Sequence, residues 1–207
     1  MKIKGVFLKK YFIFSLIFFV SALFSSTITW KGTKIISSDF TVAPADILII
    51  EPGTNVRFSP GVRLTVTGKI NSNGTENDHV VFTASDPTIH SWSGIIINSV
   101  AGENTFTFTD FSYMTAPNGS GNAGMTVLNS VVSISGCRFS DNYGESGGAL
   151  KITGGNVTVS GTAFYNNSAV AGGAVYIMNN SISESSLINI TSCKFSKNDG
   201  YSAGGAI

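Results

Sequence analysis

The sequence predicts an all-β solenoid of stacked coils, and three observations predict it: a composition crowded with turn formers, a threefold internal repeat, and apolar residues that alternate with period two inside each repeat. Of the 207 residues, 43% are hydrophobic, 12% are charged and 23 are glycine. Ser, Thr and Asn add 64 more, so these four types fill about 42% of the chain. All four are mediocre or poor inside helices, and Asn and Gly belong in turns, which points to short strands joined by many bends. An aromatic content of 11% excludes a disordered chain that could not bury a core.

Three segments align almost without adjustment: VSISGCRFSDN (Val132 to Asn142), VTVSGTAFYNN (Val157 to Asn167) and INITSCKFSKN (Ile188 to Asn198). Each is followed by Gly-Gly-Ala and an aliphatic residue, at Gly147-Gly148-Ala149-Leu150, Gly172-Gly173-Ala174-Val175 and Gly204-Gly205-Ala206-Ile207. The period is 25 residues from Phe139 to Phe164 and 31 from Phe164 to Phe195, the excess lying in the polar stretch NNSISESS (Asn179 to Ser186), which reads as an extended loop. Within each unit Val132 and Ile134, Val157 and Val159, Ile188 and Ile190, Leu150 and Ile152, and Val175 and Ile177 alternate with polar residues, the mark of strands with one inward face. Units this small cannot bury that face alone, so successive coils must stack.

Earlier units follow with decay. Met125 and Val127 match Leu150 and Ile152, while Phe106, Phe108 and Tyr113 are expected opposite Val132, Ile134 and Phe139. WSGIII (Trp92 to Ile97), VVF (Val80 to Phe82), VRLTVTG (Val62 to Gly68) and ILIIEPGTNVRF (Ile47 to Phe58) have the same size, so about six to seven coils fit after the N-terminal segment.

The repeated identities have structural roles. Phe139, Phe164 and Phe195 form an expected internal aromatic column. Asn142, Asn167 and Asn198 are placed to bond from coil to coil at ~4.8 Å and hold one bend. The pairs Gly147-Gly148, Gly172-Gly173 and Gly204-Gly205 supply positive φ or close approach at another. Cys137 and Cys193 share a phase with Thr162 between them, so they are expected roughly 9.6 Å apart, beyond the ~7 Å limit for a disulfide, as buried thiols.

Lys2, Lys4, Lys9 and Lys10 precede an apolar run of about 14 residues from Tyr11 to Phe24, the pattern of a secretory signal peptide helix rather than a span of ~20. Cleavage is expected after Ala22, with a site near Ser25 as the alternative. The organisation read from sequence is therefore a signal peptide at 1–22, an N-terminal cap and first coil at 23–45, and the stacked coils at 46–207. Removing the leader changes 13 basic against 12 acidic residues into a net charge of about −3, and this excludes a nucleic-acid binder. No cofactor and no metal set is called for: His79 and His90 have no second ligand at metal spacing, and two cysteines are too few for a structural zinc site.

The Phe-x-x-Asn signature (Phe139 to Asn142, Phe164 to Asn167, Phe195 to Asn198), followed by Gly-Gly-Ala and Ile, Leu or Val, resembles the chlamydial polymorphic outer membrane protein repeat. The stretch from about Gly32 to Met114, with IIEPGT, TGKI and WSGI, is similar to the opening coils of surface proteins of the pectate-lyase-like superfamily. These resemblances imply a right-handed parallel β-helix, exported to the cell surface, the outer membrane or the medium, and acting as an adhesin or an autotransporter passenger. The partners implied are a host or environmental glycan or protein. The chain stops at Ile207 midway through a repeat, so further coils or a C-terminal anchor, or a partner copy, are expected to cover the last coil.

The same fold class also serves polysaccharide lyases and glycoside hydrolases, and fold alone does not choose. A lyase needs clustered acidic calcium ligands beside a basic residue, and a hydrolase needs paired carboxylates. The acidic residues here are scattered, and the one constellation worth following is Asp110 and Asp141 with Arg138. Asp110 is expected to share a phase with Gly136 and Gly161, which makes these exposed charges beside turns rather than a catalytic set. Calcium at Asp141-Asn142 or Asn198-Asp199 lacks the Gly-rich repeat of calcium-loaded rolls. The expectation is a non-catalytic surface protein.

Overall fold

Short alternating runs closed by Gly, Asn or Ser become short strands because each run buries one face and must turn before the next. The computed structural model describes residues 25–86, 92–116, 122–178 and 186–207. The expected signal segment, His90 and all but the last residue of the extended polar loop lie outside the described residues.

Seven coils follow one another. The first holds β1 (Thr27–Trp30), β2 (Thr33–Ile36) and β3 (Phe40–Val42). The second holds β4 (Ile47–Ile50), β5 (Asn55–Phe58) and β6 (Leu64–Val66), and the third β7 (Lys69–Asn73), β8 (Val80–Ala84) and β9 (Ile95–Ile97). The fourth begins with β10 (Asn104–Thr107) and β11 (Thr109–Ser112) and closes with the first half of β12 (Met125–Ser135). The rest of β12 opens the fifth, which continues through β13 (Arg138–Ser140) and β14 (Tyr143–Ser146) into β15 (Leu150–Ser160). The sixth runs from the second half of β15 through β16 (Ala163–Tyr165) and β17 (Ser168–Ala171) to β18 (Val175–Met178). The seventh has β19 (Leu187–Thr191), β20 (Lys194–Ser196) and β21 (Asp199–Ala203).

Each strand pairs in parallel with its counterparts one coil before and one coil after, giving three lateral faces. Face I stacks β1, β4, β7, β10, the second halves of β12 and β15, and β19. Face II stacks β2, β5, β8, β11, β13, β16 and β20, one strand per coil. Face III stacks β3, β6, β9, the first halves of β12 and β15, and β18, and the short strands β14, β17 and β21 fill the corner between faces II and III. Single left-handed residues make the bends. Phe108, Gly136, Gly161 and Ser192 (φ 41°, 62°, 57° and 53°) turn face I into face II. Tyr113, Asp141, Asn166 and Lys197 (φ 58°, 57°, 52° and 55°) end face II.

The core is one continuous column of inward side chains, from Trp30 and Leu48 through Phe82, Ile134 and Ile152 to Val175. Phe82, Phe111, Phe139, Phe164 and Phe195 stack coil on coil, with ring centroids 5.3, 4.6, 5.2 and 4.9 Å apart and planes within 25°. Phe58 joins diagonally, 6.0 Å from Phe82 and 4.2 Å from the buried Trp92. Burial of each of the fully buried rings, Phe82, Phe111, Phe139 and Phe164, contributes roughly 1.5–3 kcal/mol before stacking is counted, and the half-buried Phe195 less.

The fourth coil corrects the expected alignment. Phe106 lies opposite Ile134, not Val132, and Phe111 rather than Tyr113 lies opposite Phe139. Asp110 is therefore in register with Arg138, not with Gly136. The slip is two residues, and Phe108, expected inward opposite Ile134, stands at the bend instead, so that Thr109 and Phe111 are the inward residues that follow Phe106.

Candidate functional site

Outward positions on a strand alternate with the core residues, so the coils carry two lateral surfaces of different chemistry. On face I, one in-register row is Asn71, Thr105, Ser133, Thr158 and Asn189. The next is Asn73, Thr107, Ser135, Ser160 and Thr191. None of these side chains is charged. Neighbours along a row bond to one another: the Thr105 hydroxyl donates to Asn71 Oδ1 at 3.2 Å and the Ser160 hydroxyl to Ser135 Oγ at 3.3 Å.

Face II carries Asp110, Arg138 and Lys194, while Lys69 stands on β7 of face I and Lys151 on β15 of face III. The outer row of face II reads Asn55, Val81, Asp110, Arg138, Ala163 and Lys194. His79 Nδ1 is 2.9 Å from Asp110 Oδ1, both side chains being 27% exposed. The His79 ring also lies 5.7 Å from that of Phe108. Asp141 does not join them; it occupies the bend beyond β13, where its carboxylate accepts a bond from Asn166 Nδ2 at 2.7 Å. Among the described residues no three His, Cys, Asp or Glu side chains are grouped to hold a metal ion.

The repeat residues of coils five and six lie inside, while in coil seven Phe195 and Asn198 are half-buried and Gly204 and Gly205 exposed. Asn142 Nδ2 donates to Asn167 Oδ1 at 2.8 Å, and Asn167 Nδ2 donates to Asn198 Oδ1 at 2.9 Å. The backbone N–H groups of Asn142 and Asn167 reach the same two oxygens at 3.2 and 3.0 Å, and Met114 N–H reaches Asn142 Oδ1 at 3.0 Å. These amides serve the backbone of the bend, so the amide oxygen of Asn142 is not offered to a cation. In the glycine pairs the two members do different work. Gly147 has φ 81°, and a Cβ on Gly148 would strike the Gly173 carbonyl oxygen of the next coil, just as one on Gly173 would strike that of Gly205. Gly172 and Gly204 repeat the positive φ at 61° and 52°.

Known families agree with this architecture. A right-handed β-helix region matches residues 68–205. The chain belongs to the right-handed β-helix family. This β-helix is also 36% identical over 58 residues to the Drosophila melanogaster protein bark beetle, a match covering 28% of the present chain and 2% of the fly protein. The chain thus spans a small part of that relative's length. No solved structure matches it.

The family match also sets the hand of the coil, the sense in which parallel strands are almost always connected. In this β-helix, sequence reasoning brought Asp110 near Arg138 but set them aside as exposed charges, and what it missed is their direct register and the place of Phe108 at the bend. Both hinge on the register of the fourth coil. The only available signal was the Gly136 and Gly161 phase, at which Phe108 is the bulky exception.

Proposed function

We propose that this right-handed β-helix is an exported, non-catalytic protein of the cell surface, outer membrane or medium, acting as an adhesin or passenger stalk. The observation that carries the reading is the division of labour among its residues: the repeated Phe, Asn and Gly positions build the coil, and the lateral surfaces present chiefly small polar groups. Export is supported by the N-terminal sequence pattern, and the finer kinship, to polymorphic outer membrane protein repeats, by the Phe-x-x-Asn and Gly-Gly-Ala spacing. Its partner is a glycan or a protein met outside the cell.

A polysaccharide lyase or hydrolase has one observation in its favour, Asp110 beside Arg138 and within reach of His79. Hydrolysis uses two carboxylates ~5–9.5 Å apart, and a lyase calcium takes six or more oxygen ligands. Asp110 is a single carboxylate, already engaged by His79. Purified protein screened on a glycan array and incubated with the same glycans should bind without releasing unsaturated sugars. Product formation that disappears in Asp110→Asn and Arg138→Ala would establish the lyase instead.

A further inference from the structure

We infer that Lys34 closes the N-terminal end of the solenoid to a second copy of this chain: it is an inward-pointing charge that keeps the open edge of coil one from taking another β edge. The strands of that edge, β1, β2 and β3, pair on one side only among the described residues, with β4, β5 and β6. Such strands leave backbone N–H and C=O groups free, a template for a further strand. Behind them lies an apolar cross-section, where Trp30 is buried and Ile28, Ile36 and Phe40 are half-buried against the core. The inference goes beyond the adhesive reading and uses from it only the removal of the leader, which leaves coil one at the end of the molecule.

Register places Lys34 in the column that holds the stacked rings. Lys34 pairs with Val56 and Val56 with Phe82, and the row continues through Phe111 and Phe139 to Phe195. Val56 is fully buried, and residues paired in a parallel ladder share a face, so Lys34 points inward at the foot of that column. The alternation of β2 agrees. Lys34 and Ile36 are half-buried, while Thr33 is exposed and Ile35 is 70% exposed. Coil two has the opposite arrangement, with Val56 inside and Arg57 outside, in register with Lys34 and Ile35. Coil one thus turns its cation in and its aliphatic residue out.

Among the described residues Lys34 has no carboxylate and no hydrogen-bonding partner, so hydration is what stabilises its ammonium. Its stem covers the apolar row while the charge stays in solvent. A β edge laid on coil one, in either orientation, would strip water from a charge that has no counter-ion. Two copies meeting coil one to coil one would bring a second Lys34 to the same interface. Head-to-tail stacking would not close on itself and would grow into fibres, which is the outcome this charge opposes.

The test is sedimentation velocity on the exported, leader-free chain. Lys34→Met removes the charge and keeps an unbranched stem, and Lys34→Val installs the residue that coil two uses at Val56. The double variant Lys34→Val with Ile35→Lys keeps the net charge and moves the ammonium to the outer side. Relative to wild type, all three are expected to self-associate with an apparent association constant raised on the order of tenfold or more, and Lys34→Arg to match wild type. Circular dichroism checks the fold, and a loss of structure in Lys34→Val leaves the comparison with Lys34→Met decisive. Equal association of wild type and Lys34→Met overturns the inference. So does a double variant that returns to wild-type behaviour, since net charge rather than an inward position would then be responsible. An intact mass that shows the leader retained would remove cleavage from the export reading and leave the comparison of variants to be read in the same way.

Discussion

Cys137 shows how a residue's place in the coil decides its chemistry. It stands in an inward column with Thr109 before it and Thr162 after it: Thr109 N–H donates to Cys137 Sγ, and Cys137 N–H donates to Thr162 Oγ1, both at 3.4 Å. The column continues to Cys193, and both cysteines are free thiols. Burial pushes the Cys137 thiol from its ordinary 9.0 up to about 12, against the pull of hydrogen bonds at Thr109 and Ser135. The protonated thiol therefore stabilises the fold fully below pH 9.0, and that contribution is lost as the pH rises towards 12. Cys137→Thr, which places in coil five the residue that coil six uses at Thr162, should lose less stability across that window than wild type in urea titrations. Parallel curves would show that the thiol does not ionise against the fold. The identity of the column was legible in the repeat, whereas the titration depends on burial, which no spacing reports.

Within one bend, the asparagine ladder is an element that no single coil possesses. Asn167 accepts from Asn142 twice and donates to the Phe139 carbonyl at 3.0 Å and to Asn198 at 2.9 Å. Asn167→Ala strands several buried polar groups at once, and a loss of about 2–4 kcal/mol is expected from the urea midpoint. Asn198→Ala, at a half-buried position, should lose less; equal losses would refute the ladder as a buried network. The three asparagines could be read from sequence because their spacing repeats with Phe139, Phe164 and Phe195. Coil four could not be placed in the same way. TFTFTDF alternates only as far as Phe108, where the bend breaks the phase and Thr109 and Phe111 turn inward, and a period-two pattern does not show where that break falls. Phe111, and with it Phe82 and Phe58, entered the aromatic column only through the pairing of β5, β8, β11 and β13.

The whole molecule is quasi-one-dimensional, since each coil meets only its neighbours, and its stability should vary along the axis. Val157, Val159 and Phe164 of coil six are buried, whereas their counterparts Ile188, Ile190 and Phe195 are half-buried. Amide exchange at residues 157–160 is therefore expected to be about tenfold slower or more than at 188–191, and uniform protection of both would contradict stacking as the source of stability. At this scale the sequence by itself determined the all-β class, the coil length and the identity of the repeating Phe, Asn and Gly columns, because stacking imposes the same demand at every turn and so writes itself as a period. The register of the irregular fourth coil was left to the tertiary structure, and so were the register partner of Asp110 and the position of Phe108 at the bend between faces I and II. Those depend on which backbone groups pair between coils, and pairing is a property of two strands that neither strand carries alone.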